Sequence, residues 1–205
     1  MAPRPSAELG ASLHATKGER TRGRLLELAV QRFGERGYRS TSVSEIARAA
    51  GLTQASAYAY FANKESLFLA AIDADATAYV LRAYDAVPDG PAYARFRSLF
   101  AELYVGLDDH PLTRRILAGG EPDVVPRLVD LPAIAIVTRF IVDELQEGQR
   151  TGDVRDDVDA VVLGAGIEAI MLSLLITAVQ SSGLSVPRYQ AGINAAFDAM
   201  LGSPA

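Results

Sequence analysis

The chain has 205 residues, of which 49% are hydrophobic and 22% are charged, a composition typical of globular proteins. It contains no cysteine and only two histidines, His14 and His110, which excludes disulfide scaffolds, thiolate zinc sites and cysteine nucleophiles and disfavours an imidazole-based site. The net charge of −5 is unevenly divided, because ten Lys and Arg face six Asp and Glu up to Ala70, and ten face nineteen beyond it. Either this asymmetry reflects ordinary solvated faces, or only the basic N-terminal part meets a polyanion.

The N-terminal segment, residues 1–15, is rich in proline, alanine and serine and is predicted to be a flexible tail. It lacks the apolar core of a secretory signal, so we expect a cytoplasmic protein. Thr16 and Glu19 have the spacing of a capping box and predict a first helix that ends at Gly37. Its apolar face is predicted to contain Leu25, Leu28, Ala29 and Phe33.

Two short helices are predicted to follow the first one. Ser42 and Glu45 repeat the capping-box pattern and open a helix that Gly51 ends. Thr53 predicts the cap of another short helix, which runs to about Phe61.

Helical periodicity continues through the rest of the chain. Asn63 predicts the cap of a long fourth helix that begins at Lys64. Asp109 and Pro111 are typical of a cap and a first-turn proline, and predict a short helix there. The other predicted helices cover residues 93–107, 134–149, 156–180 and 187–201. No segment alternates with period two, so the sequence predicts an all-α protein of roughly eight to ten helices.

Residues 160–169 imitate a dinucleotide-binding turn, with Gly164, Gly166 and Ala169 at the G-x-G-x-x-A spacing. That fingerprint carries meaning only after a strand, and with an acidic residue about 20 positions later. Neither is predicted here, so we expect no nicotinamide site and no other cofactor.

Residues 160–179 also have the length and apolarity of a membrane span. Glu168 would then lie near the centre of the bilayer, at a cost of about 2.5–3.5 kcal/mol or more. The flanks are not basic, and no tryptophan is available for an aromatic belt. A helix that is apolar on all sides is buried in a soluble protein, so we predict that this one packs against its own copy in a homodimer.

Two other classes of protein remain as alternatives to a binding protein. An all-α enzyme needs a cluster of carboxylates or histidines or a phosphate-binding loop, and no E-x-x-H pair occurs in the sequence. A peripheral membrane protein needs a basic amphipathic helix, and the acidic C-terminal part argues against one. We therefore predict that the chain is not an enzyme, binds no metal and is not attached to a membrane.

The two short helices and the glycine between them have the arrangement of a helix-turn-helix, in which the second helix enters the major groove of DNA. Leu52, Ala57 and Phe61 are predicted to pack inward. The outer face then has hydroxyls and one amide but no charge, which favours the recognition of hydrogen-bonding edges. Ala55 and Ala59 allow close approach, and their methyl groups match the methyl group of thymine.

Residues 41–67 read TSVSEIARAAGLTQASAYAYFANKESL and closely resemble the DNA-binding domain of TetR-type transcriptional regulators. The resemblance spans residues 17–67 and depends on the I-A-x-x-A-G turn, the Tyr60-Phe61 pair and the Asn63-Lys64-Glu65 run. Beyond this region the chain is similar to the family in architecture and in a G-D-V-R-x-D motif at residues 152–157.

The resemblance implies a tail at residues 1–15, a three-helix helix-turn-helix DNA-binding domain at 16–63, and a helical ligand-binding and dimerisation domain at 64–205. It implies a ligand-responsive regulator, by default a repressor, that binds a pseudo-palindromic operator in double-stranded DNA. The homodimer would form through the helices at about 156–180 and 187–201. A small hydrophobic or amphipathic effector, whose identity stays open, would release the DNA.

The resemblance also implies roles for particular residues. The implied DNA-binding residues are Thr41, Ser42, Ser44, Thr53, Gln54, Ala55, Ser56, Tyr58, Tyr60 and Lys64. Thr41, Ser42, Tyr58 and Lys64 would contact phosphates. Thr53 would face outward, and the base edges would be faced by Ser44, Gln54, Ala55, Ser56 and Tyr60. Glycine, threonine and leucine are more usual in the family where this chain has Ala55, Ser56 and Ala57, so the operator sequence stays open. Phosphate contacts or a solvated helix face would equally explain Arg20, Arg22 and Arg24.

The implied ligand pocket lies between the helices of the C-terminal domain. Its candidate residues are Phe100, Tyr104, Ile116, Leu117, Phe140 and Met171, with Glu168 as a polar anchor. Each aromatic residue is also consistent with ordinary core packing, and Glu168 with pairing across the dimer interface.

Overall fold

The structure, a computed structural model, describes residues 16–124, 126, 130–181 and 187–202. The helices are α1 (Lys17–Ser40), α2 (Val43–Ala49), α3 (Gln54–Tyr58), α4 (Lys64–Ala86), α5 (Ala92–Val105), α6 (Pro111–Leu117), α7 (Pro132–Thr151), α8 (Ala160–Gln180) and α9 (Pro187–Leu201). A 3₁₀ turn at Gly106–Asp109 joins α5 to α6. No strand occurs among the described residues, and the predicted all-α fold is confirmed. The predicted tail at 1–15 lies outside the described residues.

Local side-chain caps define the helix starts near the N-terminus. The Glu19 N–H donates to Thr16 Oγ1 at 3.2 Å and the Thr16 N–H donates to Glu19 Oε2 at 2.6 Å, so the first capping box is complete. The second is only a cap, in which Ser42 Oγ accepts from the Ser44 N–H at 3.2 Å. The prediction of a reciprocal box was wrong here, because the Glu45 carboxylate lies 3.5 Å from Arg36 Nη1 of α1 instead.

The helix α1 is broken where the sequence predicts its end. Gly37 has a φ of 80°, a left-handed value that favours glycine, and helical structure resumes for one turn after it. The space that a side chain at Gly37 would need is occupied by the Arg115 guanidinium and the Glu121 carboxylate. The glycine therefore serves both the backbone bend and the close approach of these two groups.

The long apolar helix α8 begins at Ala160 and not at residue 156 as predicted. Asp159 is the cap, since its Oδ1 accepts from the N–H groups of Val161 and Val162 at 2.9 and 3.1 Å. Asp157 is unavailable for this role because both of its carboxylate oxygens bind the Arg155 guanidinium at 2.6 Å.

One hydrophobic core runs through the described chain, from α1 to the C-terminal helices. We call residues 16–63 the head, and the described residues from Lys64 onward the body. An aromatic cluster joins them, with the Phe68 ring centroid 4.9 Å from that of Phe33 and 4.8 Å from that of Tyr38. The head is therefore packed directly on α4, the first helix of the body.

Candidate nucleic-acid interface and ligand cavity

The short helix α3 is held in place by its inner face and by its cap. Ala57 and Phe61 are buried, at 2% and 6% exposure, and Leu52 is half-buried against the same core. Thr53 Oγ1 accepts from the Ser56 N–H at 3.1 Å and satisfies a donor at the start of the helix. These contacts leave the opposite face of α3 toward solvent.

The outward face of α3 carries polar groups without charge. Thr53, Gln54, Ala55 and Tyr58 are exposed, whereas Ser56 and Tyr60 are half-buried. Gln54 Nε2 donates to Tyr58 Oη at 3.3 Å. The hydroxyl oxygens of Thr53 and Ser56 lie 2.9 Å apart. The face therefore presents short, directional donors and acceptors.

The start of α2 lies beside α3 and carries three of the predicted residues. Ser42 and Ser44 are half-buried, with their hydroxyl oxygens 2.7 Å apart at the helix N-terminus. Thr41 differs from the expectation, since it is 3% exposed and its hydroxyl lies within hydrogen-bonding distance of the carbonyls of Gly37 and Arg32, at 2.8 and 3.1 Å. In this conformation its single hydroxyl proton stabilises the end of α1 and is not available to a phosphate.

Two cationic side chains, Lys64 and Arg22, lie over aromatic rings of the head. Lys64, the first residue of α4, has its Nζ 4.5 Å from the Tyr38 ring centroid and 3.4 Å from the Arg39 carbonyl oxygen. The Arg22 guanidinium lies 4.9 Å from the Phe61 ring centroid. Contacts of these kinds restrict a long side chain without neutralising it. Sequence reasoning missed the role of Tyr38 as the support of Lys64, because the two residues are brought together only by the packing of α1 on α4.

The body contains a partly open cavity of about 80 Å³ between α4, α5, α6, α7 and α8. Five of the seven predicted pocket residues line it, namely Phe100, Ile116, Leu117, Glu168 and Met171. Residues that the sequence analysis did not select also line it, among them Tyr79, Thr113, Ala133 and Val137. The described lining residues include no lysine, arginine or histidine.

Two predicted pocket residues lie elsewhere. Tyr104 is 48% exposed, because α5 turns Phe100 and Leu103 toward the cavity and the next residue points away from it. The Phe140 ring is buried but packs against Tyr84 and Phe96, with centroids 5.0 and 6.3 Å away. Phe140 therefore belongs to the core beside the cavity and not to its wall.

Two polar groups at the cavity wall already have partners. The Glu168 carboxylate accepts a hydrogen bond from the Thr138 hydroxyl of α7. The Tyr79 hydroxyl donates to the Leu103 carbonyl, and burial raises the pKa of Tyr79 well above its usual range. Tyr79 therefore stays protonated and keeps α4 bound to α5, and the wall offers mainly apolar surface to a ligand.

A buried polar cluster, absent from the sequence predictions, holds the start of α6. Asp75 of α4 is 5% exposed, and its Oδ2 accepts from the Thr113 N–H and hydroxyl at 2.7 and 2.8 Å. Its Oδ1 lies 2.9 Å from His110 Nδ1. The first-turn proline of α6 is confirmed, but the cap comes from Asp75 and not from Asp109. The signal in the sequence that could have predicted this cluster is the position of Asp75 among the apolar residues of α4.

The helix α8 is long and apolar enough to cross a bilayer, by length and composition only. Within its apolar stretch of 18 residues, 28% is buried in the protein. Its outer side carries a stripe of exposed apolar residues. Val161, Val162 and Ile170 are 56%, 66% and 39% exposed. Small residues lie between them, including Ala165 and Gly166, which are also exposed.

Comparison with known proteins places the chain among transcription regulators. The sequence profile described as "Bacterial regulatory proteins, tetR family" matches residues 25–71. The transcriptional repressor KstR2 of Mycobacterium tuberculosis is 30% identical over 151 residues, covering 67% of this chain and 71% of that protein. The uncharacterised regulator YdgC of Bacillus subtilis is 47% identical over 53 residues, covering 26% of this chain and 27% of YdgC.

Solved structures show that the resemblance in fold extends well beyond the profile match. The fatty acid degradation regulator FadR of Bacillus halodurans matches with a TM-score of 0.67 and 19% identity, covering 92% of this chain and 97% of that one. A TetR-family regulator from Mesorhizobium loti matches with a TM-score of 0.70 and 19% identity, covering 92% and 100%. The relatives of this chain are regulators and not enzymes. The chain belongs to the TetR family of bacterial transcriptional regulators.

Proposed function

We propose that this regulator is a ligand-responsive repressor that binds a pseudo-palindromic operator as a homodimer and is released by a small apolar effector. The observation that carries the proposal is the exposed, uncharged polar face of α3, held on a buried apolar face. The name of the relative KstR2 favours repression over activation.

The chemistry of α3 favours direct contact with bases. Gln54 matches the donor and acceptor pattern of adenine, and the Ala55 methyl group matches that of thymine. Lys64, together with Ser42 at the N-terminus of α2, would contact phosphates and set the orientation of the helix in the groove. Since α3 has no arginine for a guanine contact, specificity would depend on Gln54, hydroxyls, methyl contacts and DNA shape.

The apolar stripe on α8 supports a homodimer. Burying a valine or isoleucine side chain fully stabilises a protein by about 1.5–3 kcal/mol, so Val161, Val162 and Ile170 favour a partner surface. Pairing of α8 and α9 with their copies would cover the stripe. Two-fold symmetry would then separate the two recognition helices by ~34–36 Å, one turn of DNA, or by a multiple of it.

The cavity supports an apolar effector with at most one polar group. Among the described lining residues Glu168 supplies a carboxylate, which would accept a hydrogen bond from a hydroxyl or amine. An effector weakens DNA binding only by the difference in its affinity for the two positions of the head. A coupling free energy of about 3 kcal/mol would weaken operator binding roughly 150-fold.

Selection from a randomised pool of double-stranded DNA with the purified protein tests DNA reading and symmetry together. We expect enrichment of a two-fold-symmetric site. An asymmetric site would contradict the proposed homodimeric mode. If the folded protein enriches no site even after bound small molecules have been extracted, the proposal that α3 reads DNA is wrong.

A charge in the apolar stripe tests the dimer separately. Val162→Glu should give a monomer in analytical ultracentrifugation and weaken operator binding, because it places a carboxylate in the paired face. Val105→Glu is a matched control, since Val105 is also 66% exposed but lies at the end of α5. A dimer that survives Val162→Glu unchanged would show that α8 is not the interface.

A further inference from the structure

The helix α6 contacts both the cavity and the head. On one side Thr113, Ile116 and Leu117 line the cavity. On the other side α6 packs on α1 so closely that a Cβ atom on Gly34 would lie 2.8 Å from the Pro111 side chain. A displacement of α6 by the contents of the cavity therefore reaches the head directly.

Both ends of α6 are hydrogen-bonded to other helices of the body. Its N-terminal end is bound by the buried Asp75 carboxylate of α4, both of whose oxygens are occupied by His110 and Thr113. Near its C-terminal end the Leu117 carbonyl accepts from Gln180 Nε2, at the last residue of α8, at 2.9 Å. The movement of α6 is thus constrained to follow the helices that surround the cavity.

An ion pair between Arg115 of α6 and Glu121, just beyond its end, makes the polar contact with the head. Glu121 Oε1 accepts from Arg115 Nε and from the backbone N–H of Tyr38, both at 2.9 Å. The Glu121 and Arg115 side chains are 13% and 31% exposed. The contact lies at the α1 break, where the left-handed Gly37 leaves the N–H of the next residue in need of an acceptor outside the helix.

Tyr38 leads from this contact to the candidate phosphate-binding groups. Its ring supports Lys64, whose Nζ lies 4.5 Å from the ring centroid. Thr41 and Ser42 follow after one helical turn, and the Thr41 N–H donates to the Tyr38 carbonyl at 3.4 Å. A shift of the Tyr38 backbone would move Lys64 and the start of α2 together.

The cavity is small compared with the ligands that protein cavities bind. The cavity holds about 80 Å³, whereas an engineered protein cavity that binds benzene holds about 150 Å³. An effector as large as benzene therefore fits wholly inside only if the walls move apart. We infer that the Arg115–Glu121 pair is the contact through which this expansion moves the head, with Glu121 acting as a positioning residue for the end of α1. The inference rests on the proposed function, because it assigns the regulation of the same cavity.

Ala133→Phe tests the inference without a known effector. Ala133 is 2% exposed and lines the cavity, and the substitution adds a benzene ring to it. We expect Ala133→Phe to weaken binding to the selected operator by about tenfold or more, within the usual range of allosteric coupling. In the Glu121→Ala background the same substitution should change binding by about twofold or less, since the cycle of variants isolates the coupling.

Two further variants separate coupling from general damage. Glu147→Ala removes an exposed carboxylate that pairs with Arg150 on α7, and the effect of Ala133→Phe should persist in that background. Glu121→Gln keeps an acceptor for the Tyr38 N–H, so it should retain part of the effect. An equal response of the Glu121→Ala and wild-type backgrounds, or no response of the wild type to a folded Ala133→Phe variant, would overturn the inference.

Amide hydrogen exchange of Tyr38 provides a readout that needs neither DNA nor a cavity variant. Glu121→Ala should accelerate this exchange, and Glu121→Gln should restore protection in part. Unchanged exchange in Glu121→Ala would overturn the inference, because the contact would not exist in solution.

If Ala133→Phe does not fold, 1-hexanol replaces it as the apolar probe, and its effect on operator binding is compared between wild type and Glu121→Ala under the same criteria.

Failure of the proposed function would look different from failure of the inference. A wild-type protein that enriches no DNA site contradicts the proposed function. A protein that binds its operator and releases it after cavity filling, but equally well without Glu121, retains that function and loses only the inferred contact.

Discussion

The head and the body are both helical, but the head exposes a polar helix face whereas the body surrounds an apolar cavity. The head leaves a polar face of a five-residue helix exposed, and holds it by caps and by a few buried residues such as Ala57. The body forms an apolar cavity between five helices that come from distant parts of the chain. A surface that reads a partner depends on exposed side chains at fixed positions, whereas a cavity depends on how far apart its walls are held.

The head and the body also differ in how they resemble other regulators. The family profile ends at residue 71, but the structural match to FadR covers 92% of the chain at 19% identity. The architecture of the body is therefore shared even with regulators whose sequences differ strongly from this one.

The largest effect is expected at the junction of the two regions. Phe33 is fully buried between Tyr38 and Phe68, so Phe33→Ala should lower the free energy of unfolding by about 3–5 kcal/mol. Urea denaturation followed by circular dichroism measures this change. Leu145→Ala, at a fully buried position in α7, is the matched body variant, with an expected loss of about 2–5 kcal/mol. Two separate transitions in wild type would show that the head and the body unfold independently.

A smaller effect, confined to recognition, is expected for the exposed face of α3. Gln54→Ala should relax the preference at particular base pairs by about 1–3 kcal/mol and leave the remaining positions of the operator unchanged. Competition binding against single-base variants of the selected operator measures it. A uniform loss across all variants would mean that Gln54 does not read bases.

A phosphate contact should behave differently from a base contact. Lys64→Ala should weaken binding to all DNA sequences alike and reduce the slope of log K against log salt by about one. Titrations at several salt concentrations with operator and non-operator DNA provide the test. If this variant and Gln54→Ala behave identically, the assignment of α3 as the recognition helix is wrong.

The smallest effect concerns a charged group inside the body. Burial raises the pKa of Glu144 above its usual range, while the Arg95 guanidinium, 2.8 Å away, opposes this shift. The native state therefore binds more protons than the unfolded state between the usual carboxyl pKa and the raised one. As the pH falls through this window, wild type should gain stability relative to Glu144→Gln, measured as the difference in Tm. A fall in the Tm of wild type relative to that of Glu144→Gln on acidification through this window would contradict the raised pKa.

Helix positions were predictable wherever the stabilising contacts are local. The caps at Thr16, Thr53 and Asn63 join groups three residues apart, so the sequence pattern contains both partners. The second capping box failed because Arg36, on another helix, attracts the Glu45 carboxylate. A local capping pattern therefore fails where packing brings an opposite charge from another helix close to one of its members.

The cavity was only partly predictable because helical periodicity does not tell which side of a helix meets which neighbour. Phe100 and Tyr104 share a face by spacing, yet the cavity takes Phe100 with Leu103 and leaves Tyr104 48% exposed. The rotation of α5 is set by its packing against the other helices around the cavity. Phe140 lies beside the cavity and not in its wall for the same reason.

The sequence by itself determined the all-α class, the helix-turn-helix and its uncharged outer face, since each depends on spacing and on contacts within a few residues. Tertiary structure alone decided which groups meet across the chain. Asp75 binds Thr113 across 38 positions and Glu121 binds the Tyr38 N–H across 83. Such pairs form because packing brings distant polar groups into a site where each needs a partner, and no local pattern records that requirement.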